Sequence, residues 1–180
     1  MSEGPLLFTE RLELWKPQPH DMHEAIALAR HEETARFLGG NKTYAEDVTR
    51  FMRHTGSWLL FGYGNFMLRK RGELPILGTL SIFYSWRDLG DDMDGHPEAG
   101  WILRQGMAGQ GYAYEAMSAI LEWFDAQHRL PLNCMIELNN TASIRLAGKL
   151  GFERMRQTEL SDGTVVQLFH REAGGMRNPI

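Results

Sequence analysis

Along residues 11–16 polar and apolar positions alternate around Leu12 and Leu14, the pattern of a half-buried strand. The period then lengthens. Asp21 and Glu24 have capping-box spacing before Ala25, Ile26, Leu28 and Ala29, predicting a helix that fades near Leu38 and stops at Gly39 and Gly40. Thr43 and Glu46 repeat the box before Val48, Phe51, Met52 and Thr55, the predicted buried face of a second helix. Gly62 and Gly64 break it. Residues 65–71 form a second predicted strand, and 76–84, rich in β-branched and aromatic residues, a third. A loop over 85–97 holds Asp88, Asp91, Asp92 and Asp94, and residues 98–103 form the fourth predicted strand.

After Leu103 come Gly106, Gly109 and Gly111, then a helix to about residue 128 with Ala113, Ala116, Met117, Ile120, Leu121 and Phe124 on one face. Residues 132–138 predict a fifth strand. Asn140 opens a short helix through Ile144, Ala147 and Leu150, and Gly151 suits its left-handed stop, with Phe152 folding back. Residues 152–160 and 164–171 flank Asp162 and Gly163, predicting a closing hairpin with a two-residue primed turn. These elements make an α+β domain of about seven strands and four helices. Its mixed sheet is mostly antiparallel, with a parallel part beside the glycine turn. The core spans about 6–171, followed by a loose tail over 172–180.

Strand, glycine turn and helix together favour an anion. Glycines admit positive φ and close ligand approach, and the first helical turn has unsatisfied N–H groups at the positive end of its dipole. Residues 106–111 therefore read as a pyrophosphate cradle, with a plain connecting loop as the alternative. No Gly-Lys-Ser/Thr tripeptide supports a P-loop, and bulky Tyr114 occupies the third small position of a dinucleotide fingerprint.

Composition narrows the partners. A chain of 180 residues suits one domain, and a net charge of −4 carries no nucleic-acid signature. The first residues lack a signal-peptide pattern, no apolar run reaches membrane-spanning length, and a single cysteine, Cys134, excludes an intramolecular disulfide. The expectation is a cytoplasmic protein with neither membrane nor nucleic-acid partner. A homodimer is compatible with the sequence but not encoded in it. The histidines, His20 and His23 included, show no metal-ligand spacing, so no metal is expected, and Cys134 reads as core.

Taken in order, Thr9-Glu-Arg-Leu-Glu-Leu14, the tract at Gly78, Glu98-Ala-Gly-Trp101, residues 108–116 and residues 140–152 resemble the GNAT superfamily of acetyl-CoA-dependent N-acetyltransferases. Within it they are most similar to the ribosomal-protein N-terminal acetyltransferases (RimJ/RimL type). The resemblance runs from about Leu6 to Arg171. It implies that the fourth and fifth strands splay, and that pantetheine pairs with backbone at Trp101, Ile102 and Leu103. It also implies that the amides of Gln105, Gly106, Met107, Ala108, Gly109, Gln110, Gly111 and Tyr112 hold the pyrophosphate of acetyl-CoA. Asn140 matches a family asparagine that contacts the CoA arm and is equally a good N-cap. Ser143 matches an Asn-x-x-Ser pattern whose hydroxyl protonates or hydrogen-bonds the departing thiolate. Two positions depart from the superfamily: Gly106 replaces a usual Gln or Arg, and Ala147 stands where many members carry a tyrosine.

Acetyl transfer to an amine requires a neutral nitrogen, a stabilised oxyanion and an exit for thiolate. Glu98 is the best-placed carboxylate for a base, though a structural hydrogen bond is the competing role. Deprotonation at pH 7 costs about 1–1.4 kcal/mol for an α-amine and about 4.6 kcal/mol for a lysine side chain, which favours an α-amine acceptor. The expected function is thus acetylation of a primary amine, such as a protein or peptide N-terminus. A small amine (amino acid, polyamine or drug) and a catalytically idle acyl-CoA-binding module stay open. The aspartate-rich loop is expected to steer a cationic amine, and Phe37, Tyr63, Tyr84 and Trp86 either line the acceptor pocket or belong to core and rim.

Overall fold

A computed structural model describes residues 4–40 and 42–174. The predicted tail over 172–180 lies outside the described residues from 175 onward. One eight-stranded sheet runs β1 (Leu7–Phe8), β2 (Leu12–Trp15), β3 (Asn65–Lys70), β4 (Gly78–Phe83), β5 (Glu98–Leu103), β6 (Leu132–Glu137), β8 (Val165–Arg171), β7 (Glu153–Glu159). Neighbours are antiparallel except β5 and β6, which are parallel. The helices are α1 (Met22–Arg30), α2 (Glu32–Ala35), α3 (Tyr44–Phe61), α4 (Asp91–Asp94), α5 (Tyr112–Gln127) and α6 (Thr141–Lys149). The two-residue β1 and the single-turn α2 and α4 raise the expected seven strands and four helices to eight and six. Segments that short leave no periodic signal.

Side-chain alternation sorts the strands between two faces. Leu12, Leu14, Phe66, Leu68, Leu80, Ile82 and Ala99 pack with α5 residues Ala116, Met117, Ile120 and Phe124. Met67 and Ile76 pack on the opposite face with Ala25, Leu28 and Phe51 of α1 and α3. Burying such side chains is worth about 1.5–3 kcal/mol each, so the layer order follows from the binary pattern.

Three local predictions change on folding. The box at Thr43 forms: its Oγ1 accepts from Glu46 N–H (3.3 Å) while Glu46 accepts from Thr43 N–H (2.7 Å). The box at Asp21 does not. Asp21 is buried: one oxygen caps the preceding turn, accepting from Gln18 N–H (2.8 Å), and the other pairs with Arg69 (2.5 Å), leaving none for the start of α1. On α3, Phe51 is buried but Met52 is 60% exposed, so the inward face is narrower than its apolar pattern. In the closing hairpin Gly163 N–H bonds Leu160 C=O (2.9 Å) and Leu160 N–H bonds Thr164 C=O (2.9 Å). With Gly163 at φ +83° this is a three-residue loop, not a two-residue primed turn.

Candidate active site

The opening between β5 and β6 organises the site. These strands share a single register pair, Glu98 with Asn133, and then diverge. Asn133, fully buried, holds the branch point: its N–H donates to Pro97 C=O (3.0 Å) and its Nδ2 to Asp92 C=O (2.8 Å), while its Oδ1 meets His170 Nδ1 (2.8 Å). On the other edge of β5, Arg104 N–H donates to Leu77 C=O (2.8 Å). Counting back in twos along the antiparallel ladder turns Ile102 and Gly100 toward β4. Trp101 and Leu103 then aim their N–H and C=O groups into the opening, while Ala99 lies at the last bridge to Asn133. Among the expected pantetheine contacts, Trp101 and Leu103 therefore present free backbone, whereas the Ile102 backbone is spent on β4 and its side chain packs toward α1 and α3.

Next along the chain, Met107 N–H donates to Arg104 C=O (3.1 Å), closing a turn whose third residue, Gly106, lies at φ +78°. A turn needing positive φ there selects glycine. A Cβ at Gly106 or Gly109 would meet no heavy atom within 4 Å, so conformation rather than crowding demands those glycines. Gly111 at φ +82° forms the N-cap of α5. Met107 is the single amide of residues 105–112 donating to a backbone carbonyl among the described residues, leaving a run of N–H groups at a helix N-terminus. The glutamine or arginine missing at Gly106 has no substitute in Arg104, which turns away to Ile76 C=O (2.7 Å) and Glu24.

The cradle is fastened to the β1–β2 corner. Glu115, in the first turn of α5, accepts from Thr9 Oγ1 (2.5 Å), Arg11 N–H (3.0 Å) and Arg11 Nε (2.7 Å). Arg11 also donates to Gln110 C=O (3.1 Å) and lies over the Tyr112 ring (4.5 Å). Burial opposes ionisation of Glu115, but these hydrogen bonds prevail and hold its pKa below the usual carboxylate value. Thr9 and Arg11 carried the family resemblance without an assigned role; spacing offered no sign of this contact.

Two groups of polar side chains flank β5. On the α5–α6 side, Asn140 caps α6 through Oδ1, accepting Ser143 N–H (3.1 Å), and Trp101 Nε1–H donates to Ser143 Oγ (3.1 Å). The Asn140 amide NH2 is left for other partners. On the α3 side, Glu98 is buried; Arg87 donates to both of its oxygens (2.9 and 3.2 Å) and Ser85 Oγ donates to Oε2. Neither Ser85 nor Arg87 had a signal in the sequence. His54 of α3 stacks on Phe83 (3.9 Å), the register partner of Glu98. Burial, then Arg53 and Arg50, push its pKa down to about 3, so it is neutral.

The other candidates resolve by contact. Asp94 is buried, accepting from Arg87 N–H (2.9 Å) and Leu89 N–H (2.8 Å), and Asp92 pairs with Arg156 (2.8 Å). Two of the four loop aspartates are thus spent on fastening the loop, Asp94 within it and Asp92 to β7. Tyr63 is core, edge-on to Phe124, with burial pushing its hydroxyl up to about 12. Trp86 is 75% exposed. Cys134 is buried and its thiol raised by burial, as suits a packing residue. Among the described residues no helix is long and apolar enough to cross a membrane, and no group of three potential metal ligands occurs.

A family profile described as acetyltransferase (GNAT) domain matches residues 11–153. An uncharacterized N-acetyltransferase of Bacillus licheniformis, p20, is 24% identical over 171 residues, covering 91% of this chain and 92% of its own. A solved chain from Bordetella pertussis, described as a GnaT-family acetyltransferase, superposes with a TM-score of 0.82 at 28% identity, over 92% of this chain and 98% of its own. Aminoglycoside acetyltransferase AAC(6')-Ib, solved with coenzyme A, shares the fold at 16% identity and a TM-score of 0.72, over 91% of this chain and 96% of its own.

Proposed function

The chain belongs to the GNAT acetyltransferase family, and on that premise we propose that it transfers acetyl from acetyl-CoA directly to a primary amine within a ternary complex. The observation that carries this reading is continuous: unpaired β5 backbone at Trp101 and Leu103 leads into a turn of free amides at the start of α5. An extended pantetheine with a pyrophosphate at its far end needs donors in that order. The neighbour solved with coenzyme A supports the choice of ligand.

Residue roles follow from the two sides of the opening. Trp101 and Leu103 pair with pantetheine amides. Residues 105–112 hold the pyrophosphate through backbone donors, and the Asn140 NH2 reaches the pantetheine arm. The amine nitrogen attacks the thioester carbonyl from the α3 side, and a β5 N–H stabilises the oxyanion. Its proton passes to Glu98, through Ser85 or a water, since both Glu98 oxygens are already hydrogen-bonded. As the C–S bond breaks, the Ser143 hydroxyl hydrogen-bonds the departing thiolate, its oxygen being held by the Trp101 indole, and the proton that Glu98 took from the amine returns through solvent to give the thiol. The products are an N-acetyl amide and free CoA thiol. The likeness to ribosomal-protein N-terminal acetyltransferases and the lower cost of deprotonating an α-amine both support an N-terminal or amino-acid α-amine as acceptor.

Thermal unfolding with acetyl-CoA tests the reading. A ligand at 100 times its Kd stabilises by about 2.7 kcal/mol, which moves Tm by several degrees in a chain of this size. No shift at millimolar acetyl-CoA defeats the proposal. A shift without thiol release on any amine leaves an acyl-CoA-binding module instead.

A further inference from the structure

We infer that the acceptor amine carries a carboxylate or phosphate, received by Arg53 with Arg50 and Arg87 beside it on the α3 side of the β5–β6 opening. The inference rests on the acetyltransferase reading above and specifies its acceptor. Arg50, Arg53 and His54 follow one another along α3 at helical spacing, so they share one region of its surface. The stacking of His54 on Phe83, the cross-strand partner of Glu98, fixes that turn of α3 over the start of β5. Arg87 reaches the same place from the loop after β4 through its ion pair with Glu98 (2.9 Å).

The ion pairs in this region are unevenly shared. Asp47 serves both Arg30 (2.8 Å) and Arg50 (3.2 Å), and Glu98 serves Arg87. Arg53 has no carboxylate within 4 Å among the described residues; its one polar side-chain neighbour is the neutral His54 ring (3.5 Å). Among the described residues the guanidiniums of Arg30, Arg50, Arg53 and Arg87 thus share two ion-pair carboxylates, Asp47 and Glu98, with Asp94 held at the Arg87 backbone. Burial and the nearby Arg87, against the pull of Glu98, lower the pKa of Arg53, and burial, against the pull of Asp47, lowers that of Arg50. Lys42, at the entrance to α3, is lowered by burial and by Arg50. Assembling like charges is unfavourable in the empty protein and is relieved when an anion enters. Guanidinium is suited to the task, because its planar fork binds carboxylate or phosphate through two parallel hydrogen bonds. A polycationic acceptor meets repulsion at the same place.

Initial rates of thiol release from acetyl-CoA, measured on amine pairs matched in length, test this. The pairs are γ-aminobutyrate and its carboxamide, O-phosphoethanolamine and ethanolamine, and dipeptides beginning with Asp or Asn. Wild type is expected to favour at least one anionic member by about tenfold or more in kcat/KM, and the pair that responds distinguishes carboxylate from phosphate. Arg53→Ala should reduce that preference by about tenfold, and Arg53→Glu should invert it toward the uncharged member or spermidine. Calorimetry should give both variants wild-type affinity for acetyl-CoA, which separates a lost acceptor site from a misfolded chain. Equal rates within every pair, or a preference unchanged in Arg53→Glu, overturns the inference while leaving the acetyltransferase reading intact. Failure of wild type to bind acetyl-CoA overturns that reading first. Where acetyl-CoA binds but no amine reacts, the N-acetylated pairs are titrated into the CoA-bound enzyme, and equal affinities within every pair overturn the inference.

Discussion

Ser143 and Glu98, the proposed catalytic pair, show how tertiary partners limit what a side chain can do. The Ser143 oxygen accepts the Trp101 indole N–H, which leaves the hydroxyl its own hydrogen to donate. Replacing Ser143 by Ala removes the hydrogen-bond donor to the thiolate but none of the expected CoA backbone contacts. Steady-state kinetics should show kcat lower by about tenfold to a hundredfold, with KM for acetyl-CoA within about threefold. An unchanged kcat removes Ser143 from the mechanism. Glu98→Gln keeps the shape and cannot accept a proton, so kcat should fall while acetyl-CoA affinity holds; kcat unaffected across pH 6–9 assigns Glu98 to the structural pair with Arg87. The spacing of Asn140 and Ser143 was legible as a cap and a hydroxyl one turn apart. Trp101 lies 42 positions away, and no local pattern joins it to them.

The element that matters most is the turn feeding α5. Its glycines were visible because positive φ at Gly106, Gly109 and Gly111 is a backbone requirement that few other residues meet. Its attachment to the β1–β2 corner was not visible, because Thr9 and Arg11 meet Glu115 only when β2 enters the sheet beside α5. Arg11→Ala frees the Gln110 carbonyl and removes the cation facing Glu115, leaving an uncompensated carboxylate near the expected pyrophosphate. Calorimetry should show acetyl-CoA affinity weaker by about tenfold, a change near 1.4 kcal/mol, and Glu115→Gln in the same chain should restore part of it. Gly111→Asp introduces both a carboxylate and a side chain at φ +82°, and should abolish acetyl-CoA binding; retained micromolar affinity counts against the cradle.

At the scale of the molecule, the sheet opening gathers charge that the chain carries dispersed. His54 has a folded-state pKa near 3 against an ordinary value of 6.5. The unfolded chain therefore binds the extra proton as pH falls. The stability contributed by neutral His54 is fully present above pH 6.5 and is lost progressively between 6.5 and 3. Melting curves should show Tm declining already between pH 6.5 and 5, above the range in which ordinary carboxylates protonate, and His54→Gln should flatten that decline. An identical slope in the variant shows that another group carries it. The same cluster decides the sign of the acceptor site. The four aspartates of the loop suggested the opposite sign because they are adjacent in sequence, whereas Arg50, Arg53 and Arg87 converge from a helix and a distant loop.

The amino-acid sequence by itself determined what depends on neighbours along the chain. The alternation around Leu12, the Thr43–Glu46 cap, the glycine turn, the α5 stripe and the Gly151 stop are set by backbone sterics, local hydrogen bonds and the period of apolar burial. Tertiary structure alone decided which polar groups end up together. It spent Asp21 on Arg69 and Asp94 on a loop, joined Trp101 to Ser143, and, among the described residues, put no carboxylate within 4 Å of Arg53. The reason is physical: a charged or hydrogen-bonding side chain takes whichever partner folding brings within about 3 Å, and that partner comes from distant sequence as readily as from near.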